Sequence, residues 1–507
     1  MRAKPDLLAP EMREVMADAL LAVVFGLSIL VAFVAVSNQS FWIDEAGSGI
    51  YSLAPSPLAF AEDRGSTLQM PGYSLLLWVW ANSVSMSEYG IRSLNLVFFI
   101  GAQAAFLFAL KTLPLHRVFS AIAALASAFM WAYLDEARPY AMQFCGAALA
   151  AVAVCNAAFA RAASVTDLIL FLLGAVVLCV SSLLGVVHTF FLGLLYLGVL
   201  IAGGDFTRLL RSWRAWLGVL VAALVLLPTG IFYAWTLSVD AKASGVGATN
   251  VATLAFAVYE LLGAGGYGPG RLALREVGVP ALVSFFPLLA ISLVPYLVAV
   301  VWILKSRRDL VLRPGWGLAF VGGYVASAFV AISLLGVFGE FRLVGRHFMP
   351  LAPFLFLGLG WTWATMWGDR SGRWLVVVSV MILFGGAGQQ RVDSRFAKDD
   401  YRSAAAFARD ALFNDRVVWW AADPAGARFY QVFPQVGSSE TGHESIFFAN
   451  NRDSAYLASL PAADVVVLSK TDIYDPSGSL REWMVNNGFT VTRKLPAFTV
   501  WERRGGN

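Results

Sequence analysis

Long apolar segments recur along the first 390 residues, near 19–37, 93–110, 118–134, 139–160, 168–184, 185–204, 215–239, 277–304, 314–338, 348–368 and 374–390. A bilayer core takes about 17–25 apolar residues per helix, so these segments predict about eleven transmembrane helices. The stretch 168–204 is too long for one crossing, and Gly185 marks the expected turn between two. From about 391 the pattern changes. Charge rises, and strand-like runs appear in "DRVVWWAAD", "ADVVVLSK" and "FTVTRKLPAFTVWERR". Helix-like stretches, "DDYRSAAAFARDAL" and "SLREWMVNNG", lie among them. Residues 1–390 thus read as a polytopic α-helical membrane domain, and 391–507 as a small soluble α/β domain.

The segment 70–86, with "MPGYSLLLWVW", is apolar enough for a short span. Charge decides against it. With the N-terminus cytoplasmic and 70–86 not crossing, the basic residues Lys111, Arg117, Arg161, Arg208, Arg211, Arg214, Lys305, Arg307, Arg308, Arg313, Arg370 and Arg373 all fall in cytoplasmic loops, as the positive-inside rule requires. A crossing at 70–86 would put every one of them outside. The segment therefore reads as an interfacial or re-entrant helix, with Trp78 and Trp80 suited to the interface. It lies in a first external loop, 38–92, and the C-terminal domain is external too. Mixed residues precede the first apolar run without a clean cleavage site after it, so the first helix is expected to be retained.

Composition agrees. Hydrophobic residues make up 58% of the chain and charged ones 14%, with a mean hydropathy of +0.68, a membrane-protein balance. The net charge of +4 is dispersed and carries no nucleic-acid signal. Cys145, Cys155 and Cys179 all lie inside apolar segments and read as small buried hydrophobes.

The candidate chemistry gathers at helix ends on the external side. Asp44 and Glu45 follow the first span in "FWIDEAGSGIYSL". "YLDEARPYA" supplies Asp135, Glu136, Arg138 and Tyr140. His188 lies near the start of the sixth span. "GEFRLVGRHFMP" supplies Glu340, Arg342, Arg346 and His347. Each has a plainer reading: Asp44 and Glu45 as helix caps, Asp135–Arg138 as a local ion pair, Arg346 as a headgroup anchor. Their shared face argues for a site that takes a substrate with a polar head and a lipid tail. "GAGGYGPG", residues 263–270, fits G-x-G-x-x-G, but no strand precedes it and no long helix follows, so a flexible external loop is expected. His443 and Glu444 in "TGHES" read as surface.

These motifs together resemble the C-type (GT-C) glycosyltransferase superfamily, in the branch of protein O-mannosyltransferases and bacterial aminoarabinose-to-lipid A transferases. The resemblance rests on "FWIDEAGSG", "LQMPGYSLLLWVW", "YGIRSLNLVFF" with Arg92, "YLDEARPYAM", "VVHTFF", "GRHFMPLAPFL" and "AKDDYRSAAAFARD", and covers roughly residues 15–410. Gln69–Met70–Pro71 stands where the family has His-Pro, so a contact from that His is missing.

The resemblance implies a GT-C fold in a bacterial inner (plasma) membrane. It also implies transfer of a sugar from a polyprenyl-phosphate donor, outside the membrane, to a lipid, glycan or protein acceptor. Asp44 then reads as general base, and Glu45 as orienting acceptor or donor, or positioning a neighbouring cation. Arg138, Arg346 and Arg92 read as donor-phosphate ligands, and Asp135, Glu136, Tyr140, His188, Arg342 and His347 as lining the site. No dedicated metal-ligand spacing exists, so a divalent cation enters only as an alternative source of positive charge. The competing readings are a lipid-linked-sugar flippase or transporter, and an O-antigen ligase or polymerase. Transporters carry intramembrane charges or inverted repeats, whereas these spans are clean. Ligases depend on a large late loop, whereas here the first loop carries the acids.

The orientation is directly testable. Single cysteines introduced near positions 215 and 450 should react with an impermeant maleimide only near 450 in sealed cells. Labelling near 215 from outside would invert the topology.

Overall fold

The computed structural model describes residues 10–62, 70–109, 114–159, 162–239, 248–305, 316–339, 341–435, 445–450 and 452–503. Glu340, His443, Glu444 and Gln69 lie outside the described residues. The chain divides into two compact units. One comprises residues 1–37, 64–76 and 92–393; the other comprises 38–63, 77–91 and 394–507.

The first unit is helical. Among the described residues, eight helices are long and apolar enough to cross a bilayer. They include Pro10–Ala35, Tyr140–Phe159, Leu183–Ala202, Trp213–Val239, Phe286–Lys305, Trp316–Phe338 and Arg370–Val392. A ninth candidate is a broken span, 115–126 plus 128–134, bent by 61°. Two expected spans are shorter helices, Leu94–Phe106 with 13 residues and Val165–Ser181 with 17. Helix Pro71–Ser83 also has 13 residues, about 20 Å of helix, which falls short of the hydrocarbon core.

The turn expected at Gly185 sits three residues earlier. Ser182 is extended (φ −167°, ψ 159°), and its Oγ accepts from the Gly185 N–H at 3.0 Å. The Ser182 hydroxyl supplies a side-chain acceptor for the new helix, which a glycine lacks. Gly185 serves instead for close approach, since a Cβ there would lie 2.0 Å from the Leu178 carbonyl.

Helix Tyr140–Phe159 forms the centre of this unit, 89% of it buried. Its sequence is rich in alanine, which lets neighbouring backbones come close where lipid supplies no hydrophobic drive. The closest approach is to helix Val165–Ser181. A Cβ on Gly174 would sit 2.4 Å from the Gly146 carbonyl, and one on Gly146 2.8 Å from that of Gly174.

The second unit contains a five-stranded sheet: β1 Val418–Ala421, β2 Ile446–Phe448, β3 Val465–Ser469, β4 Phe489–Leu495 and β5 Phe498–Arg503. The order is β2-β1-β3-β5-β4, with β1 parallel to β2 and β3, and β5 antiparallel to β3 and β4. All three strand-like runs form strands, and 401–413 and 479–486 are helical as expected. Only β2, three residues long, gave no signal. Strands β1 and β3 are buried along their whole length, as "VWWA" and "VVVLS" require of strands covered on both faces. Residues of the first loop belong to this unit. Phe41 packs on Phe429 with ring centroids 4.8 Å apart, and Tyr430 Oη receives the Phe41 N–H at 2.8 Å.

Gly174→Leu should disrupt the close helix crossing. An overpacked site costs about 1–3 kcal/mol, so the melting temperature of the detergent-purified protein should fall. Gly193→Leu, where nothing lies within 4 Å of the added Cβ, is the matched control and should leave it unchanged.

Candidate functional site

The turn in "YLDEARPYA" is held in place by its first acid. Asp135 ends helix Ala128–Leu134 and is 1% exposed. It accepts from the Ser37 N–H at 2.5 Å, from Ser37 Oγ at 2.9 Å and from Arg391 Nη1 at 3.1 Å. Fully buried Arg92 donates to the Ser37 carbonyl at 3.0 Å. The Asn95 amide donates to the Leu134 and Glu136 carbonyls at 3.0 and 2.5 Å. Asp135 and Arg92 thus both meet Ser37, just beyond the end of the first helix.

Beyond this clasp the turn presents a charged cluster around two tyrosines in contact. Tyr133 and Tyr140 meet edge to face with ring centroids 5.1 Å apart. Arg138 Nε donates to Tyr140 Oη at 3.5 Å, and the Arg346 guanidinium lies 5.7 Å from the Tyr140 ring centroid. Arg138 and Arg346, 208 positions apart, therefore share one aromatic neighbour. Glu136 Oε1 accepts from Arg271 Nη2 at 2.8 Å, while its buried Oε2 has no hydrogen-bond partner among the described residues. Glu260, in the short helix Val251–Leu261, accepts from the Gly345 N–H at 2.7 Å through Oε2. That bond fixes the backbone beside Arg346. Burial pushes the Glu260 carboxyl above the usual carboxylate range; Arg271, the Gly345 N–H and Arg346 pull it down without cancelling the shift.

The cluster sets three guanidinium groups (Arg138, Arg271, Arg346) against two carboxylates (Glu136, Glu260). Such an arrangement suits an anion with several acceptor oxygens.

The two candidate histidines meet along the backbone of the Arg346 segment. Fully buried His188 donates through Nε2 to the His347 carbonyl at 3.1 Å, and its Nδ1 lies 3.4 Å from Tyr324 Oη. His347 Nδ1 accepts from the Val344 N–H at 3.1 Å. Arg342 is exposed and joins none of these contacts.

"GAGGYGPG" is not an open loop. Gly263 has φ +70°, a conformation that suits glycine, and Ala264–Gly266 forms a turn of 3-10 helix. A Cβ on Gly266 would lie 2.3 Å from the Gly386 carbonyl of the last helix. The glycines permit this close backbone contact, and the run delivers Arg271 to Glu136.

Asp44 and Glu45 belong to the other unit. Both lie in the first turn of helix Ile43–Ser52, whose N-cap is Trp42 with no side-chain cap bond. Neither acid is the cap. Glu45 is fully buried, and its Oε2 is paired with Lys398 Nζ at 2.9 Å. Asp44 is half-buried. Its charge reaches Asp423, whose carboxyl is raised first by burial and further by Asp44.

Sequence reasoning missed Glu260, Arg271, Arg391 and Lys398. Glu260 is the one acid in the apolar run "VATLAFAVYELL", and Arg271 directly follows the glycine run, so both had a local signal. Lys398 lies in "AKDDYRSAAAFARD" but was given no role, and Arg391 had no signal beyond its place after the last apolar segment. Among the described residues, no group of three or more His, Cys, Asp or Glu side chains is placed to hold a metal ion. Glu45, Asp135 and Glu136 each take a cationic side chain instead.

No protein-family model matches the chain, and no curated protein matches it in sequence. Solved structures do match in fold. The apo structure of ArnT from Cupriavidus metallidurans aligns over 96% of this chain and 98% of its own, with a TM-score of 0.55 and 10% identity. The structure of the same protein bound to undecaprenyl phosphate aligns over 95% and 97%, with a TM-score of 0.55 and 12% identity. At such identities the likeness concerns the fold alone, and it spans both chains almost end to end. The chain shares the fold of these ArnT structures: a polytopic helical membrane protein carrying a small C-terminal α/β domain.

Proposed function

We propose that the protein is a membrane glycosyltransferase that moves a sugar from a polyprenyl-phosphate carrier to a hydroxyl or phosphate acceptor on the external face of the membrane. The observation that carries this reading is the cluster at Tyr140, where Arg138 and Arg346 flank one ring and buried acids hold their surroundings. A structural neighbour has been solved with undecaprenyl phosphate, which supports a carrier of that class.

In the transfer, the acceptor oxygen attacks the anomeric carbon and the bond from that carbon to the phosphate oxygen breaks. The electron pair leaves on the polyprenyl phosphate. Arg138 and Arg346 stabilise the charge that develops there, which is electrostatic catalysis. Arg271 adds positive potential while neutralising Glu136. The acceptor proton goes to Asp44 as general base. Attack opposite the departing phosphate inverts the anomeric configuration.

The test is a transfer assay in membranes with a panel of polyprenyl-phosphate sugars. Arg138→Ala and Arg346→Ala should each cost about 2–4 kcal/mol of transition-state stabilisation. Arg→Lys should recover only part of it, because an ammonium cannot reproduce the guanidinium fork. Full activity in both Ala variants would exclude these arginines.

Asp44→Asn keeps the shape but cannot take a proton. Turnover should fall by about two to four orders of magnitude with normal expression. A fully active variant would move the base elsewhere.

A further inference from the structure

We propose that Lys398, in the segment after the last membrane helix, is a positioning residue for the catalytic first turn of helix Ile43–Ser52, acting through its ion pair with Glu45. The proposal rests on the assignment of Asp44 as base. Glu45 is 0% exposed and its carboxylate is 2.9 Å from Lys398 Nζ, itself only 13% exposed. A carboxylate so buried needs a counter-charge. The sequence neighbours of Glu45 offer none, because residues 38–53 contain no Lys or Arg. The cation arrives from a position 353 residues away.

The backbone repeats the connection. The Lys398 N–H donates to Gln39 Oε1 at 2.9 Å, and the Arg402 N–H to Ser40 Oγ at 3.0 Å. Arg402 Nη2 donates to the Asn38 carbonyl at 2.7 Å, and its Nε to Glu88 at 2.7 Å. Tyr430 Oη also donates to Glu88, at 3.0 Å. Residues 398–402 thus run along 38–45 and fasten them at both ends, with the buried ion pair at the end nearest Asp44. Glu45 is the receptor for that cation and does not itself handle the acceptor proton. The segment that begins the C-terminal domain becomes part of the catalytic apparatus without touching substrate.

Three variants test this: Lys398→Met, Lys398→Arg, and Glu45→Gln combined with Lys398→Met. Arg416→Met, which breaks the Arg416–Glu502 pair at the sheet, is the control. Misplacing a reacting group by about 1 Å costs on the order of 100-fold, so Lys398→Met should lower kcat by about 10- to 100-fold. KM for the donor should hold. Lys398→Arg should retain most of the activity. The double variant, with no stranded charge, should exceed Lys398→Met. Hydrogen exchange of residues 43–52 should quicken in Lys398→Met and stay unchanged in Arg416→Met. Unchanged exchange in Lys398→Met, or a double variant no better than the single one, would overturn the proposal. If the wild type transferred no sugar from any donor, the glycosyltransferase reading would fail, while the exchange comparison would still judge the role of Lys398.

Discussion

A single buried carboxylate organises the membrane unit. Asp135 is almost wholly removed from solvent, and an ionised carboxylate there is tolerable only with a full set of partners. It takes two bonds from Ser37 and one from Arg391, while Arg92 closes on the Ser37 carbonyl. Ser37, Arg92 and Arg391 lie at or within two residues of the points where the chain passes from one compact unit to the other. The same contact therefore holds the end of the first helix, the end of the last, and the turn that carries Glu136, Arg138 and Tyr140. Removing one partner of such a buried pair typically costs about 3–5 kcal/mol, because the other charge is left stranded.

Two charge-compensated clusters follow, one in each unit, and both use the same physics. Buried acids meet cations supplied by distant segments: Glu136 by Arg271, Glu45 by Lys398. Around Tyr140, among the described residues, Arg138, Arg271 and Arg346 meet Glu136 and Glu260. At the start of helix Ile43–Ser52 the acids come as an adjacent pair, with Glu45 fully buried against Lys398 and Asp44 half-buried. A helix N-terminus further favours both as anions.

Much was legible in the sequence, for definite physical reasons. The bilayer forces backbone polar groups to pair within each segment, so uninterrupted apolar length reports helices directly. Continuous "VWWA" and "VVVLS" runs report strands covered on both faces, and the charge step near 391 reports the change of surroundings. The acids and arginines stood out because charge is rare in such a chain. Where local chemistry was misread, the competing demand was close packing: Gly185 and the "GAGGYGPG" glycines serve backbone contact, so the turn falls at Ser182 and the glycine run is packed.

The sequence alone therefore determined the helices, the strands other than β2, and the set of residues from which a site is made. It could not sort that set. Asp135 and Glu136 are adjacent, yet one clasps Ser37 and the other meets Arg271; Arg92 and Arg346 are both arginines, yet one secures a carbonyl and the other lies by Tyr140. Those assignments depend on partners 55 to 256 positions away, such as Ser37 for Arg92 and Arg391 for Asp135. Apolar length and alternation are local properties of the chain. The partner of a buried charge is a property of the packed interior, and only the tertiary structure decides it.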